Sequence, residues 1–306
     1  MAGHEAAAAV RVESGDAELL RQLGAGSGTG RVHSVFARVV NVLTPQDALI
    51  ALAARGSGDA PRTLTADVGG WAGRGLAAGQ PVAFAPGCLT LAVPGRPLCL
   101  TVEGARHWYT IRPTLAGLPA GARAAAAARI DRLNHTYGPR GGMLGAAPGA
   151  GPMDDAVVRA LHAGRAELTA GIRARDSAAT RRGVLALLGL GPGLTPAGDD
   201  FLTGLVLVAA LPGSALAGFV PVLREVLDAH PGRTTDVALA TLREAARGRA
   251  RAELLDLLRL LEGAAGPLDL HAPVRAVLAV GHTSGSDTLS GLAAGLHLEE
   301  ELRGPL

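Results

Sequence analysis

The chain has 306 residues, of which 48% are hydrophobic and 18% charged, enough apolar material for one large domain or two modest ones and too much for a disordered chain. Its 29 basic residues stand against 27 acidic ones along the whole length, and no basic stripe interleaved with aromatics marks a nucleic-acid partner. All the basic residues other than histidine are arginine; without lysine there is no Schiff-base or pyridoxal-phosphate lysine and no Walker-A phosphate loop, a bias that a GC-rich genome accounts for.

Residues 1–12 carry Glu5 and Arg11 and no apolar signal-peptide core, which points to a cytoplasmic protein. From about residue 31 to 114, short β-type runs predominate, at 32–40, 49–52, 81–84 and 98–102. Turns such as Ala85-Pro86-Gly87 and Pro94-Gly95-Arg96-Pro97 separate them. This spacing predicts a small antiparallel sheet or partial barrel, with Trp71, Trp108 and Tyr109 as packing residues. Cys88 and Cys99 lack C-x-x-C spacing and read as buried free thiols in a reducing compartment.

After Pro119 the period changes to helical. Residues 120–133, 154–175, 177–188, 235–247, 252–261 and 273–280 place apolar side chains three and four apart, as in Leu254, Leu257, Leu258 and Leu261. Between the first two, residues 134–151 form a Gly/Pro-rich connection that reads either as a substrate-covering loop or as a plain linker; Arg140 within it is an isolated candidate anion ligand. Residues 201–223 contain no charge and are long enough to span a bilayer. Pro212-Gly213-Ser214 break that run and Asp199-Asp200 abut it, so a pair of buried helices joined by a turn is expected, not a membrane span. The organisation is therefore α+β, with a β-rich domain over residues 1–118 and a helical domain over 119–306.

The most informative segment is G-L-G-P-G-L-T-P-A-G-D-D-F-L-T-G at residues 189–204. Five of its first eight residues are glycine or proline, so it is a loop that delivers the chain into a helix N-terminus. Uncrowded backbone N–H groups and the positive end of the helix dipole suit such a junction to an anion. A second copy, G-H-T-S-G-S-D-T-L-S-G-L, follows at 281–292. Gly198 to Leu205 aligns with Gly285 to Leu292 at a separation of 87 residues, with Thr195 and Thr283 just ahead. Two such units are expected to converge on one site.

The alignment pairs Asp199 with Ser286, both favoured N-cap residues, and Asp200 with Asp287, about one position inside each helix. Each of the latter acids reads either as a first-turn partner of the helix dipole or as half of a carboxylate pair facing a shared pocket. On the second reading Asp200, Asp287 and His282 are the candidate catalytic residues, with His282 as general acid/base or oxyanion donor. Gly191, Gly193, Thr195, Gly198, Asp199, Thr283, Ser284 and Gly285 are the candidate substrate-binding residues. Two carboxylates beside an anion site require either a cation such as Mg²⁺, held by Asp200 and Asp287, or a ligand that offers N–H or O–H donors; no cofactor is otherwise indicated. The histidines show no zinc spacing, and no G-x-S-x-G elbow is present. Thr234-Thr235-Asp236 reads as an ordinary N-cap or as a further hydroxyl and carboxylate of the same site.

The first motif, followed at a distance by Val280-Gly281-His282-Thr283-Ser284-Gly285-Ser286-Asp287, resembles the AllH-type family of oxamate carbamoyltransferase subunits, long catalogued as a bacterial domain of unknown function. The likeness extends over most of the chain, from the β-rich start to both motifs. It implies one subunit of a hetero-oligomeric enzyme of anaerobic allantoin breakdown, interconverting oxamate plus carbamoyl phosphate with oxalurate plus phosphate. The partners so implied are a small anionic substrate, such as carbamoyl phosphate, oxamate or another ureide, and the companion subunits. A non-catalytic assembly subunit and a metal-dependent ureide hydrolase or ligase are the competing readings.

Overall fold

The computed structural model describes residues 8–262 and 269–304, and the chain divides into two compact units, residues 1–110 and 111–306. The first unit contains β1 (Ala8–Asp16), α1 (Ala17–Ala25), β2 (Gly28–Val35), β3 (Val39–Leu43), β4 (Leu49–Ala54), β5 (Thr63–Ala66), β6 (Pro81–Ala85), β7 (Cys88–Leu91), β8 (Leu98–Thr101) and β9 (Arg106–Trp108). They form one sheet in the order β5-β4-β3-β2-β6-β7-β8-β1-β9, and a further pairing of β1 with β5 closes its first eight strands into a barrel-like sheet.

Strand β1 makes this closure. Its first half runs parallel to β8, from Ala8↔Leu98 to Arg11↔Thr101, and its second half antiparallel to β5, from Val12↔Ala66 to Gly15↔Leu64. The register shift between Val12 and Ser14 is what a bulge supplies, a bend that turns one strand from one neighbour to the next. Period-two alternation sends one face inward: on β6 Val82 and Phe84 are buried between exposed Pro81, Ala83 and Ala85. Val12, Val40, Ile50, Leu52, Leu64, Trp71, Leu89 and Leu100 fill the interior, and Leu19, Leu20 and Leu23 of α1 pack against them.

Three expectations change in this unit. The run at 32–40 is a hairpin rather than one strand, with Val35 opposite Val40; Phe36-Ala37-Arg38 contains no Gly, Pro, Asn or Asp to mark the reversal. Cys88 and Cys99, expected as buried free thiols, are half-buried and disulfide-paired across β7 and β8, where Cys99 faces Thr90 one pleat from Cys88. The inference of a reducing compartment loses the support that free thiols gave it. Trp71 and Trp108 are packing residues as expected, whereas Tyr109 is 64% exposed.

The second unit is helical: α2 (Ala122–Tyr137), α3 (Pro152–Arg173), α4 (Ser177–Leu187), α5 (Ala197–Ala209), α6 (Phe219–Ala229), α7 (Asp236–Ala245), α8 (Ala252–Glu262), α9 (His271–Leu278) and α10 (Ser284–Arg303), with 3-10 turns at Gly142–Leu144 and Pro231–Arg233. Residues 111–118 belong to this unit: the buried Arg123 guanidinium donates to the carbonyls of Leu115 and Leu118. The uncharged stretch resolves into α5, a turn-rich connection and the start of α6; no helix among the described residues is long and apolar enough to cross a membrane.

Every residue of α5 is buried, and α10 is its principal neighbour. Two glycines set their approach. A Cβ on Gly204 would overlap the carbonyl of Thr288, and one on Gly291 would overlap that of Phe201. In the repeat alignment Gly204 corresponds to Gly291 and Phe201 to Thr288, so the contact is reciprocal and the two helices cross as a pseudo-two-fold pair.

Candidate functional site

The repeat is larger than the motif. Helices α4 and α9 each precede a loop, and the loops lead into α5 and α10. Gly198 lies against the Leu187 carbonyl at the end of α4, and Gly285 against the Val277 carbonyl near the end of α9. Any side chain there would push the new helix off the old one. These two glycines, expected to bind substrate, are therefore buried packing residues.

Both helices begin earlier than their sequences suggest. The cap of α5 is Pro196 and that of α10 is Thr283, so Asp199 and Ser286 stand at the third helical position and are not N-caps. Pro196 carries the φ of −55° that its ring imposes, and its carbonyl already accepts from Asp199 N and Asp200 N. Asp199 is instead a tie between segments: its carboxylate accepts Gly189 N at 2.9 Å and the hydroxyl of Thr234. Burial pushes its carboxyl above the usual range, and those two bonds pull it back. Thr235, by contrast, is the expected N-cap, accepting Ala238 N at 3.1 Å.

Asp200 and Asp287 fall at the fourth position of α5 and α10, where both carboxyls are buried. The two loops meet here: Thr195 Oγ1 of the first and Ser284 Oγ of the second are 2.8 Å apart, and both hydrogen-bond to Asp200. Asp287 accepts Met143 N at 2.7 Å through Oδ1 and a bond from Thr283. Burial lifts Asp200 to about 8, with a further push from the Asp287 charge, against the opposing hydroxyl bonds. Burial also lifts Asp287, to about 6, against the opposing bonds from Met143 N–H and Thr283. In each carboxyl Oδ2 is buried without a hydrogen-bond partner. Leaving such an acceptor unmet costs about 1–3 kcal/mol, so the pair is set to receive donors or a proton.

The other candidates are placed unevenly. Gly191, with φ of +120°, lies against Ala197 N and shapes the loop, whereas Gly193, with φ of +100°, is exposed and open. His282 is exposed on the second loop, and no hydrogen bond among the described residues ties it to the acid pair. No group of three or more His, Cys, Asp or Glu side chains is placed to hold a metal among the described residues.

The connection at 134–151 supplies what the motifs did not reveal. Its 3-10 turn brings Met143 N to Asp287, and a Cβ on Gly142, which has φ of +55°, would overlap the Asp287 carboxylate. At the end of α2, the fully buried Asn134 donates from Nδ2 to Ser286 O at 2.9 Å and Ser290 Oγ at 3.1 Å, fixing the first turns of α10. The Gly141-Gly142 pair was a visible signal of close approach, but its target lies more than a hundred residues away.

Fold and site together define a two-unit α+β protein: a barrel-like sheet, then a helical unit in which a duplicated helix–loop–helix brings two acids together at paired helix N-termini. Residues 187–296, which span both loops, match the family described as oxamate carbamoyltransferase subunit AllH, and residues 9–107 match the AllH family N-terminal domain. The chain belongs to the AllH family. No solved structure matches it.

Proposed function

We propose that this chain serves, as one subunit of a hetero-oligomeric complex, the transfer of a carbamoyl group between carbamoyl phosphate and oxamate in ureide catabolism, and that the Asp200–Asp287 site receives the carbamoyl- or amide-bearing anion. The observation that carries this reading is the convergence of both loops on two buried carboxyls, each with an oxygen that lacks a protein partner. In the reaction the oxamate nitrogen forms a C–N bond to the carbamoyl carbon, the C–O bond to phosphate breaks, and the nitrogen sheds a proton. Asp287, held by an N–H donor, is the carboxylate suited to take that proton. With no lysine in the chain, the phosphate charge falls to loop amides, helix N-termini and arginine.

A second reading, an assembly subunit without chemistry of its own, is favoured by one observation: Gly198, Gly204, Gly285 and Gly291 all serve helix packing. Reconstituting the complex and assaying carbamoyl transfer separates the two. The catalytic reading predicts that Asp287→Asn lowers the rate by about 100-fold or more with assembly intact. Full activity in that variant supports the assembly reading instead.

A further inference from the structure

Asp200 and Asp287 occupy equivalent positions, yet the groups that meet them differ in kind. Asp287 meets the Thr283 hydroxyl, but its Oδ1 also accepts a backbone N–H at 2.7 Å, a donor that cannot reverse its role. Asp200 meets only hydroxyls, those of Thr195 and Ser284, and a hydroxyl either donates or accepts. A proton on Asp200 therefore keeps every contact satisfied, whereas the fixed donor at Asp287 favours the anion. The dipoles of α5 and α10 act on the same helical position in each and do not separate the two acids.

Two carboxylates sharing a buried site do not both ionise readily. The charges that act on Asp200 are those of Asp287, from α10, and Asp199, from its own helix; both are negative. Arg165 from α3 lies over the ring of the neighbouring Phe201, 5.7 Å from its centroid, and does not figure among the charges acting on Asp200.

We infer that at neutral pH Asp200 holds a proton and Asp287 is ionised, so that the pair presents one O–H donor beside one carboxylate acceptor, the complement of a primary carboxamide or urea edge. The carbonyl of such an edge accepts from Asp200, and its N–H donates to Asp287. A carboxylate or phosphate edge offers acceptors only and meets repulsion at Asp287. The proton placement stands on the geometry of the unliganded chain, and the ligand edge rests on the site reading given under the proposed function. Burial raises both carboxyls, and the charges of Asp287 and Asp199 raise Asp200 further, to about 8 against about 6 for Asp287.

Infrared difference spectroscopy of the full-length chain without ligand tests the proton. A carboxylic-acid C=O band is expected at neutral pH, absent from Asp200→Asn and retained in Asp287→Asn. A band that disappears in Asp287→Asn and survives in Asp200→Asn overturns the assignment. Titrating the wild-type chain needs no variant: the band is expected to persist through neutrality and vanish near pH 8, and its loss before neutrality also overturns the assignment. Calorimetric titration of the reconstituted complex with oxamate and with oxalate tests the edge. Oxamate is expected to bind at least about tenfold more tightly, since oxalate replaces the donor N–H with a second carboxylate. Equal affinities overturn the edge recognition. If neither ligand binds while the acid band follows Asp200, the ligand site falls and the proton placement stands.

Discussion

The two glycine loops share a plan and differ in what surrounds them. Each leaves a helix, brings a glycine against that helix's last carbonyls and places an aspartate at the fourth position of the next helix. The first loop runs over residues 188–196, and its Asp199 ties Gly189 to Thr234; the second spans only 279–283, and Ser286 in the matching place donates to the nearby Thr283 carbonyl. The acids diverge in the same way: both meet a threonine hydroxyl from the preceding loop, but only Asp287 also accepts a backbone N–H from a segment outside the repeat. The packing glycines, the acids and a loop threonine at each acid are common to both copies; Ser284 at Asp200 and Met143 N–H at Asp287 are not. A duplicated frame can thus hold two identical residues in different protonation states.

The largest effect should come where the copies are most alike. Gly204→Ala and Gly291→Ala each drive a methyl into a backbone carbonyl of the opposing helix, and each should lower stability by about 3 kcal/mol or more, measured by urea denaturation. A large loss in one and none in the other breaks the reciprocity. Gly142→Ala should follow at about 2–3 kcal/mol, because it combines a positive-φ penalty with displacement of the turn from Asp287. It should also weaken ligand binding in the complex, which a packing defect elsewhere would not.

Where the copies differ, the effects should separate. Asp199→Ala leaves Gly189 N and the Thr234 hydroxyl without their acceptor and should cost about 1–3 kcal/mol; Ser286→Ala removes one local bond and should cost about 1 kcal/mol or less. Equal costs would show that the tie made by Asp199 has no special weight. The pH dependence separates the two acids by its sign and its range. The folded-state value of Asp200 lies above its unfolded value of about 3.9, so between the two the native state binds the extra proton and stability falls as pH rises. The melting temperature of Asp200→Asn relative to wild type should therefore climb from about pH 4 to pH 8 and level off above it. For Asp287→Asn the corresponding climb should end near pH 6.

Much of the helical unit was legible because its amphipathic period is strong. Helices α3, α4, α7, α8 and α9 begin and end within two residues of their expected bounds. The repeat was legible for a different reason: Gly198, Asp200, Gly204 and their partners are identical residues at one spacing. Tertiary pairing was not. Strand β1 has only Val10 and Val12 as β-branched residues, and its stability comes from β5, β8 and β9 on either side. The glycines of the loops looked like breaks in helices, but Gly198 and Gly285 lie within the first turns, which moved both caps upstream. Met143 was invisible as a site residue because it acts through its backbone N–H, which every residue but proline has.

The most direct measurement of the central claim is a structure of the reconstituted complex with oxamate bound. The carboxamide end is expected between Asp200 and Asp287, its carbonyl toward Asp200 and its nitrogen toward Asp287. Oxamate held on another subunit, with this pair of acids untouched, would contradict it.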